Sequence, residues 1–506
     1  MQILRSFLPL LLLPLLCTCD RAAEVRESNS QTVRESESQE VTQSTRPHVI
    51  FIMDDQHRYD ALGKINPQVQ TPTLDALWEE GTLYSQAVCQ APMCVPSRNS
   101  IMFGMYPSQT GVFRNSGGVK DEELPGKTMA QYFKDAGYET AGFGKAHWGR
   151  HKTDTRGFET RYTSEIPEKG GITMAQVDSA AKARYDAEIA PMGPGEENNL
   201  GYLGFTSKLP EEDHRDGWIN ERAIEYIKAR EDNRPLFLYL SYMKPHAGHN
   251  PPAGYEDRYN TDSITYAVQP PWKADYSPHS SGVNRREMYE GFWKNATAED
   301  WRLMTMRYYA NVTWIDDMLG RTMAELKKKG LLDNALIVYT ADHGEMLGER
   351  YYRFNKYCLY DASVRVPLIL AGTALPDELR RGNTDERPVD LVDIMPTVLS
   401  VAGIEPVDPL PGVSLLGPAA REGGFAALHE REGEAAFMWR TKKDKLILVF
   451  NRQENAADYT ADDIIAGEFY DLETDPREWD DLFGEAESLQ RRSKLTGQII
   501  GHLQNM

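Results

Sequence analysis

The sequence predicts an α/β fold built on a large, mostly parallel sheet with helices on its faces. Two observations carry that prediction. Short runs that are apolar almost without interruption recur at 48–53, 139–144, 235–242 and 335–340. Between them lie segments with helical apolar spacing: Ile219, Ala223, Ile224 and Ile227 within 217–230, and Tyr308, Val312, Ile315, Leu319, Met323 and Leu326 within 301–329. A strand that is apolar at every position is buried on both faces. Its alternation with amphipathic helices is the pattern of a parallel sheet covered on both sides.

The chain begins with Arg5 ahead of an apolar run over 7–16 that leads into Cys17-Thr18-Cys19. Interrupted by Pro9 and Pro14, this run falls short of the roughly 20 apolar residues a spanning helix needs, and residues 1–19 read as a signal peptide. Cys19, preceded by Leu16 and Thr18, loosely fits a lipoprotein cleavage box, so a lipid anchor is a second expectation for this end. Residues 20–46 are Ser, Glu, Gln, Thr and Arg with almost nothing apolar. Such a composition cannot offset its ordering entropy, and the segment is expected to be a disordered tether. An exported protein follows, whether periplasmic, cell-surface or secreted. Of the five cysteines, export leaves Cys89, Cys94 and Cys358 once the leader is set aside, too few for a disulfide framework. The 506 residues are 41% hydrophobic with a mean hydropathy of -0.55, which excludes a multispanning membrane protein. Acidic residues outnumber basic ones 76 to 56, a net charge of -20. That balance argues against nucleic acid as a partner, because such a partner needs an excess of Lys and Arg to release counterions. It leaves room for a small anion in a local basic pocket.

Each apolar run stops on polar residues. The first gives way to Asp54-Asp55-Gln56-His57, the second to Lys145-Ala146-His147-Trp148, the third to Lys244-Pro245-His246, and the fourth to Asp342-His343-Gly344. In open sheets ligands gather outside the carboxyl ends of the strands. Singly, each ending has an ordinary reading as a turn, a cap or a solvated loop. Turn chemistry does not call for carboxylates at two strand ends and cations at two others, however, so the four together predict one site with a metal half and an anion half. Three or more carboxylates make a hard oxygen site suited to calcium or magnesium, and a metal there draws in an anion. Lysines around it would hold the remaining anion oxygens. His343 also suits manganese, zinc or iron, so the residues alone leave the metal open.

The segment Met93-Cys94-Val95-Pro96-Ser97-Arg98 is the most specific in the chain. Pro96 fits the first turn of a helix running to about Gly104, which sets Cys94 at the positive end of the helix dipole, where a nucleophile or oxyanion is stabilised. A buried structural cysteine is the plainer reading. Farther on, a helix over 390–402 closed by Gly403 is followed by a Pro/Gly-rich stretch through Gly424, a natural boundary. Beyond it, 435–439, 445–450 and 468–470 read as strands and 485–503 as a final helix.

Cys94-Val95-Pro96-Ser97-Arg98 resembles the Cys-x-Pro-Ser-Arg signature of the sulfatases, the type I, formylglycine-dependent members of the alkaline phosphatase superfamily. The resemblance covers nearly all of the chain after the tether. It takes in Asp54-Asp55, Thr71-Pro72-Thr73-Leu74-Asp75, Gly144-Lys145-Ala146-His147-Trp148-Gly149, Lys244-Pro245-His246, residues 308–317, Ala341-Asp342-His343-Gly344-Glu345, Lys356, Val364-Arg365-Val366-Pro367 and residues 469–478. It implies an alkaline phosphatase-like catalytic domain over 47–424 and a small C-terminal subdomain over 425–506, an antiparallel sheet packed by one helix. It also implies that a formylglycine-generating maturation enzyme converts Cys94 to formylglycine, whose hydrate attacks the sulfur of a sulfate ester with one hydroxyl and expels sulfate with the other. Asp54, Asp55, Asp342, His343 and the converted Cys94 would bind one divalent metal, Ca²⁺ first, with Mn²⁺ or Zn²⁺ as alternatives. Arg98 and His147 would hold the hydrate, Lys145 and Lys356 the sulfate oxygens, and His246 would face the leaving oxygen as general acid. For the alcohol side the candidates are Lys244, His57, Arg114, Trp148, His151 and His249, with an aromatic-rich insert over 255–293 lying above. A sulfated saccharide is the expected substrate by family frequency. Asp-His at 342–343 also occurs in relatives that hydrolyse phosphonate monoesters or phosphodiesters, which is one alternative. A catalytically silent protein that binds sulfated glycans is the other.

Overall fold

A computed structural model describes residues 46–116, 118–119, 123–147, 155–163, 171–190, 200–266, 269–270, 292–429 and 432–506. The expected signal peptide, all of the expected tether except Arg46, Trp148, His151 and most of the aromatic insert lie outside these residues. No described helix is long and apolar enough to cross a membrane.

The strand over His48–Asp55 (β1) shows why the sheet is buried on both faces. Its alternate residues Val49, Phe51 and Met53 enter one apolar cluster, and Ile50 and Ile52 enter another on the opposite face. A period of two on a strand, apolar at every position, demands a covering layer on each side. The first face is covered by the helices Cys94–Phe103 (α2), Met129–Asp135 (α3) and Ile394–Ala402 (α6), through Ile101, Met102, Met129, Phe133, Ile394 and Val398. The second is covered by Pro72–Glu79 (α1), Arg215–Ala229 (α4) and Ala298–Lys328 (α5), through Leu74, Ile219, Ala223, Tyr308, Ile315 and Leu319. Helix α5 starts three residues earlier than its apolar spacing suggests, because Thr297 and Asp300 form a capping box there. Helix α6 stops where Gly403 takes a left-handed φ of 62°.

Among the described residues nine strands form the main sheet, in the order β5-β4-β3-β6-β1-β7-β8-β2-β9. The others are Thr82–Val88 (β2), Glu139–Gly144 (β3), Thr160–Thr163 (β4), Ile172–Thr173 (β5), Leu236–Pro245 (β6), Ala335–Ala341 (β7), Leu368–Ala371 (β8) and Asn383–Asp390 (β9). Only β8 runs against its neighbours β7 and β2. The four strands read from the sequence, β3, β6, β1 and β7, are consecutive in the middle of the sheet and parallel, so their carboxyl ends open on one rim. A second sheet of Gly424–Leu428 (β10), Glu434–Arg440 (β11), Asp444–Asn451 (β12) and Ile464–Asp471 (β13) is antiparallel throughout. The helix over Leu489–Gln504 (α7) seals it by packing Leu495, Ile499 and Leu503 against Phe425, Phe437, Leu448 and Phe469.

The rim is tight where β3 ends. Gly144 has a φ of 93°, and a Cβ there would run into the Ser241 carbonyl of β6, which accepts the Lys145 amide at 3.0 Å. Neither obstacle is a side chain that can move aside. Gly144→Ala is therefore expected to lower stability by about 3 kcal/mol or more, read from urea denaturation.

Candidate active site

The central strands bring their polar endings together, and α2 approaches from the side. Helix α2 begins at Cys94 itself, and all ten of its residues are buried. Its N-terminus is fixed by the Asn115 carboxamide oxygen, which accepts the Val95 amide at 3.1 Å, and by the Ser97 hydroxyl, which donates to the Asp342 carbonyl at 2.5 Å.

Asp55, Cys94, Asp342 and His343 form a buried cluster in which one ligand atom from each lies within 4.8 Å of the others. His343 Nε2 stands 3.2 Å from Cys94 Sγ, 3.6 Å from Asp342 Oδ1 and 3.8 Å from Asp55 Oδ1. Its other nitrogen, Nδ1, lies 2.9 Å from the Gly344 carbonyl. A carbonyl there selects the tautomer with hydrogen on Nδ1 and leaves Nε2 as a donor atom toward the cluster. Two carboxylates, one such imidazole and a fourth oxygen or sulfur make a donor set that fits a divalent cation, from calcium to the first-row metals.

Asp54 divides its carboxylate: Oδ1 is buried without a hydrogen-bond partner among the described residues, so it is still free to serve as a ligand, and only Oδ2 is engaged by the protein. Successive residues of a strand face opposite ways, and while Asp55 turns to the cluster, Asp54 turns Oδ2 to the α5 side. There Asp54 Oδ2 accepts the Tyr339 hydroxyl at 2.7 Å and meets His57 Nδ1 at 2.8 Å. The same geometry removes His57 from the substrate candidates. It is fully buried, and its Nε2 is 2.9 Å from the Ala61 carbonyl, so both ring nitrogens are engaged inside the protein.

Three cations ring the cluster. Lys145 Nζ pairs with Asp55 Oδ2. Lys356 Nζ donates to Gln56 Oε1 at 2.7 Å and to Cys94 Sγ at 3.3 Å, and lies 3.1 Å from His246 Nε2. Arg98 Nε donates to Asp342 Oδ2 at 2.6 Å and Nη1 to the Lys145 carbonyl and Ser241 Oγ, both at 2.9 Å, while Nη2 lies 3.6 Å from Asp55 Oδ2. His147, at a left-handed φ of 53°, hydrogen-bonds the thiol. Burial alone would push the Cys94 thiol up, but Lys145, Lys356, His343 and the His147 hydrogen bond hold it well below its ordinary value. Burial and Cys94 likewise oppose ionisation of Asp55, yet Lys145, His246 and Arg98 keep it far below the usual carboxylate range. Burial and then Lys356 push His246 down.

Thus Cys94, Arg98, Lys145, His147, His246 and Lys356 meet at one point. Lys244 does not join them. Its ammonium donates to the Gly248 carbonyl and, at 2.6 Å, to Asn250 Oδ1, and burial with Arg215 nearby lowers its pKa to about 8. His249 is fully buried, with Nδ1 2.7 Å from the Tyr202 carbonyl, and burial and Lys244 lower its pKa to about 3. It packs in the core edge-on to Tyr308 and is not exposed beside the site. Arg114 commits Nε to the His429 carbonyl at 2.7 Å, toward the second sheet. Tyr259, from the described part of the insert, bonds Thr313 of α5 at 2.6 Å. Cys89 and Cys358 are buried free thiols.

Two residues that the sequence reading passed over stand in the site. Gln56, at a left-handed φ of 68°, donates its amide to Asp342 Oδ1 at 3.0 Å, accepts from Lys356 and donates its carboxamide to Glu345. Glu345 in turn accepts the Leu347 amide at 2.9 Å and the Asn355 amide at 2.5 Å, which fixes the loop carrying Lys356. Their signal is position: Gln56 follows Asp55 at a strand end, and Glu345 follows Asp342-His343-Gly344.

Residues 47–404 match the family model for sulfatases, and residues 348–505 match that for the C-terminal part of N-sulphoglucosamine sulphohydrolase. An arylsulfatase of Clostridium perfringens is 27% identical over 485 residues, covering 91% of this chain and 95% of that protein. An N-acetylglucosamine-6-O-sulfatase of Bacteroides thetaiotaomicron is 25% identical over 90% of this chain and 85% of its own length. Among solved structures, the phosphonate monoester hydrolase of Silicibacter pomeroyi superposes with a TM-score of 0.72 at 22% identity, covering 91% of this chain and 96% of that one, a likeness of fold.

Proposed function

The chain belongs to the sulfatase family and is a sulfuric ester hydrolase, and from that premise we propose that it removes a sulfate group from a sulfated saccharide using a formylglycine made from Cys94. The observation that carries the proposal is the convergence on Cys94, at the start of α2, of Lys145, Lys356, His147 and His246 beside Asp55, Asp342 and His343. Asp55, Asp342, His343 and the converted Cys94, with the unpartnered Oδ1 of Asp54, would hold one divalent cation, calcium first, with manganese and zinc as alternatives. When present, the cation and the formylglycine hydrate supply an activated hydroxyl and neutralise charge on the sulfate oxygens. Lys145 and Lys356 hold the non-bridging oxygens where charge develops. Arg98 keeps Asp342 and Asp55 in place. His147 moves the proton at the residue-94 oxygen, and His246 delivers one to the leaving oxygen. In the free site burial and Lys356 press that proton off His246. An ester anion seated against Lys356 offsets the second effect and draws the proton back toward His246.

Conversion of Cys94 also changes the charge of the site. Lys145 and Lys356 hold the thiol's pKa well down against its burial, so in the unconverted chain Cys94 is a third acidic group beside Asp55 and Asp342, facing Arg98, Lys145 and Lys356. Once residue 94 is neutral, three cations face two carboxylates. This excess sits inside a protein of net charge -20, which favours one sulfate in a pocket over a grip on a long polyanion. The saccharide assignment rests on the N-acetylglucosamine-6-O-sulfatase and the N-sulphoglucosamine sulphohydrolase match. The reading places the enzyme outside the cytoplasm, in keeping with residues 1–19.

The test has two parts. In protein produced with a formylglycine-generating enzyme, the peptide carrying Cys94 is expected at the mass of the aldehyde or its hydrate; active protein with an intact thiol would sink the mechanism. On matched aryl sulfate, phosphonate monoester and phosphodiester, kcat/KM is expected to be highest for the sulfate. Preference for a phosphorus ester would replace this reading with that of a phosphonate or phosphodiester hydrolase.

A further inference from the structure

The carboxylate of Asp216 touches none of the groups assigned above, yet both of its oxygens hold the strand that delivers His246. Strand β6 bulges at its carboxyl end: between the pairs Met53↔Ser241 and Asp55↔Pro245, β1 advances two residues and β6 four. On the other side β3 ends at Gly144, opposite Ser241. The amides of Met243 and Lys244 therefore have no strand to pair with, and buried unpaired amides are costly. Asp216, in the first turn of α4, accepts both, Met243 N on Oδ1 at 2.8 Å and Lys244 N on Oδ2 at 2.9 Å. The residue is 2% exposed, and burial raises its carboxyl pKa to about 6 against the pull of those amides and of Lys244. The turn that follows closes on the same segment, since the His246 amide donates to the Met243 carbonyl at 3.1 Å. A bulge re-aims the side chains beyond it, and this one ends with His246 Nε2 3.1 Å from Lys356 Nζ.

We infer that Asp216 is a positioning residue that fixes the β6 bulge so that His246 faces the leaving oxygen of the ester. This rests on the reading of His246 as the acid in the proposed function. A misplaced acid harms the departure of a poor leaving group far more than that of a good one, so the effect is selective. A general loss of folding is not.

The experiment compares the converted enzyme with Asp216→Asn, which keeps one acceptor and sets an N–H against the other amide. The second variant, Asp216→Glu, keeps the charge but displaces it by one methylene. The substrates are an alkyl sulfate and 4-nitrophenyl sulfate. In both variants kcat on the alkyl ester is expected to fall at least about tenfold further than kcat on the aryl ester, with KM for each within about threefold of wild type. In a His246→Ala background, Asp216→Asn is expected to add no further leaving-group selectivity. Equal losses on the two esters, or undiminished selectivity without His246, would overturn the inference while leaving the function intact. If Asp216→Asn does not fold, Asp216→Glu carries the same comparison. A wild-type enzyme that turns over neither these esters nor a sulfated saccharide defeats the proposed function, and this inference with it, before any variant is made.

Discussion

Cys94→Ser is expected to abolish turnover, by about four orders of magnitude or more, while the folded protein persists. The residue is 2% exposed and its neighbours keep other partners, Lys356 in Gln56, Lys145 in Asp55 and His343 in the Gly344 carbonyl, so a hydroxyl of nearly the same size changes stability by no more than about 1 kcal/mol. The site around it remains: Lys145 and Lys356 still present their ammonium groups, and α2 still points its N-terminus at position 94. What a serine lacks is the second oxygen on the same carbon. An ester formed on its single oxygen has no neighbouring hydroxyl to expel sulfate, so the reaction stops after one event. The measurement is steady-state turnover on an aryl sulfate, joined to the mass of the peptide containing position 94 before and after substrate. Loss of turnover with a substrate-dependent gain of one sulfate is the full expectation. Retention of more than about one part in a thousand of the wild-type rate would mean that a plain hydroxyl suffices, and the chain would then work as an ordinary serine esterase of sulfate or phosphate.

The sequence made the middle of this site visible because chemistry on a parallel sheet must sit at the strand ends, and the four central strands are its most continuously apolar segments. Their endings carry Asp55, Lys145, His246, Asp342 and His343, and the structure sets them on one rim. Adjacent residues at such an ending were not separable, because the facing of Asp54 and Asp55 depends on the pleat, which composition does not reveal. His57 fell to the same ambiguity, since its partner is Asp54. Lys244 shared a motif with His246, but the β6 bulge turns it onto Gly248 and Asn250. Strands β2 and β9 escaped the pattern for different reasons. The polar Thr82 and Ser85 of β2 find backbone carbonyls at 2.8 and 3.3 Å, from Leu379 and Asp385, which lets them be buried within a strand. Strand β9 is the edge of the sheet and so tolerates Asp385, Glu386, Arg387 and Pro388. Gln56 was missed because a neutral carboxamide carries no charge signal, although its four hydrogen bonds, to Asp342, Lys356, Glu345 and Tyr308, make it a hub.

Asp342→Asn is expected to give the second large effect, and it acts on stability and cation binding together. Asp342 is fully buried: Oδ2 accepts from Arg98 at 2.6 Å and Oδ1 from the Gln56 amide at 3.0 Å. An asparagine can satisfy only one of the two donors and sets its own N–H₂ against the other. It also leaves the buried Arg98 with Asp55, at 3.6 Å, as its one carboxylate neighbour among the described residues. Breaking one side of a buried ion pair costs about 3 kcal/mol, which denaturant unfolding would register in the unconverted chain without any turnover. Calcium or manganese affinity, measured by calorimetry on the converted enzyme, is expected to fall by about 100-fold or more, since a ligand loses its charge where outer partners alone already matter by 10- to 100-fold. Adding Arg98→Met to Asp342→Asn separates the two effects. With the orphaned guanidinium gone, much of the lost stability returns, because an ion pair replaced on both sides by apolar or neutral groups costs far less than one broken on a single side. Cation affinity and turnover stay lost, since neither change restores the carboxylate. Recovery of affinity in the double variant would mean that Asp342 serves only to hold Arg98, and that the cation site lies elsewhere.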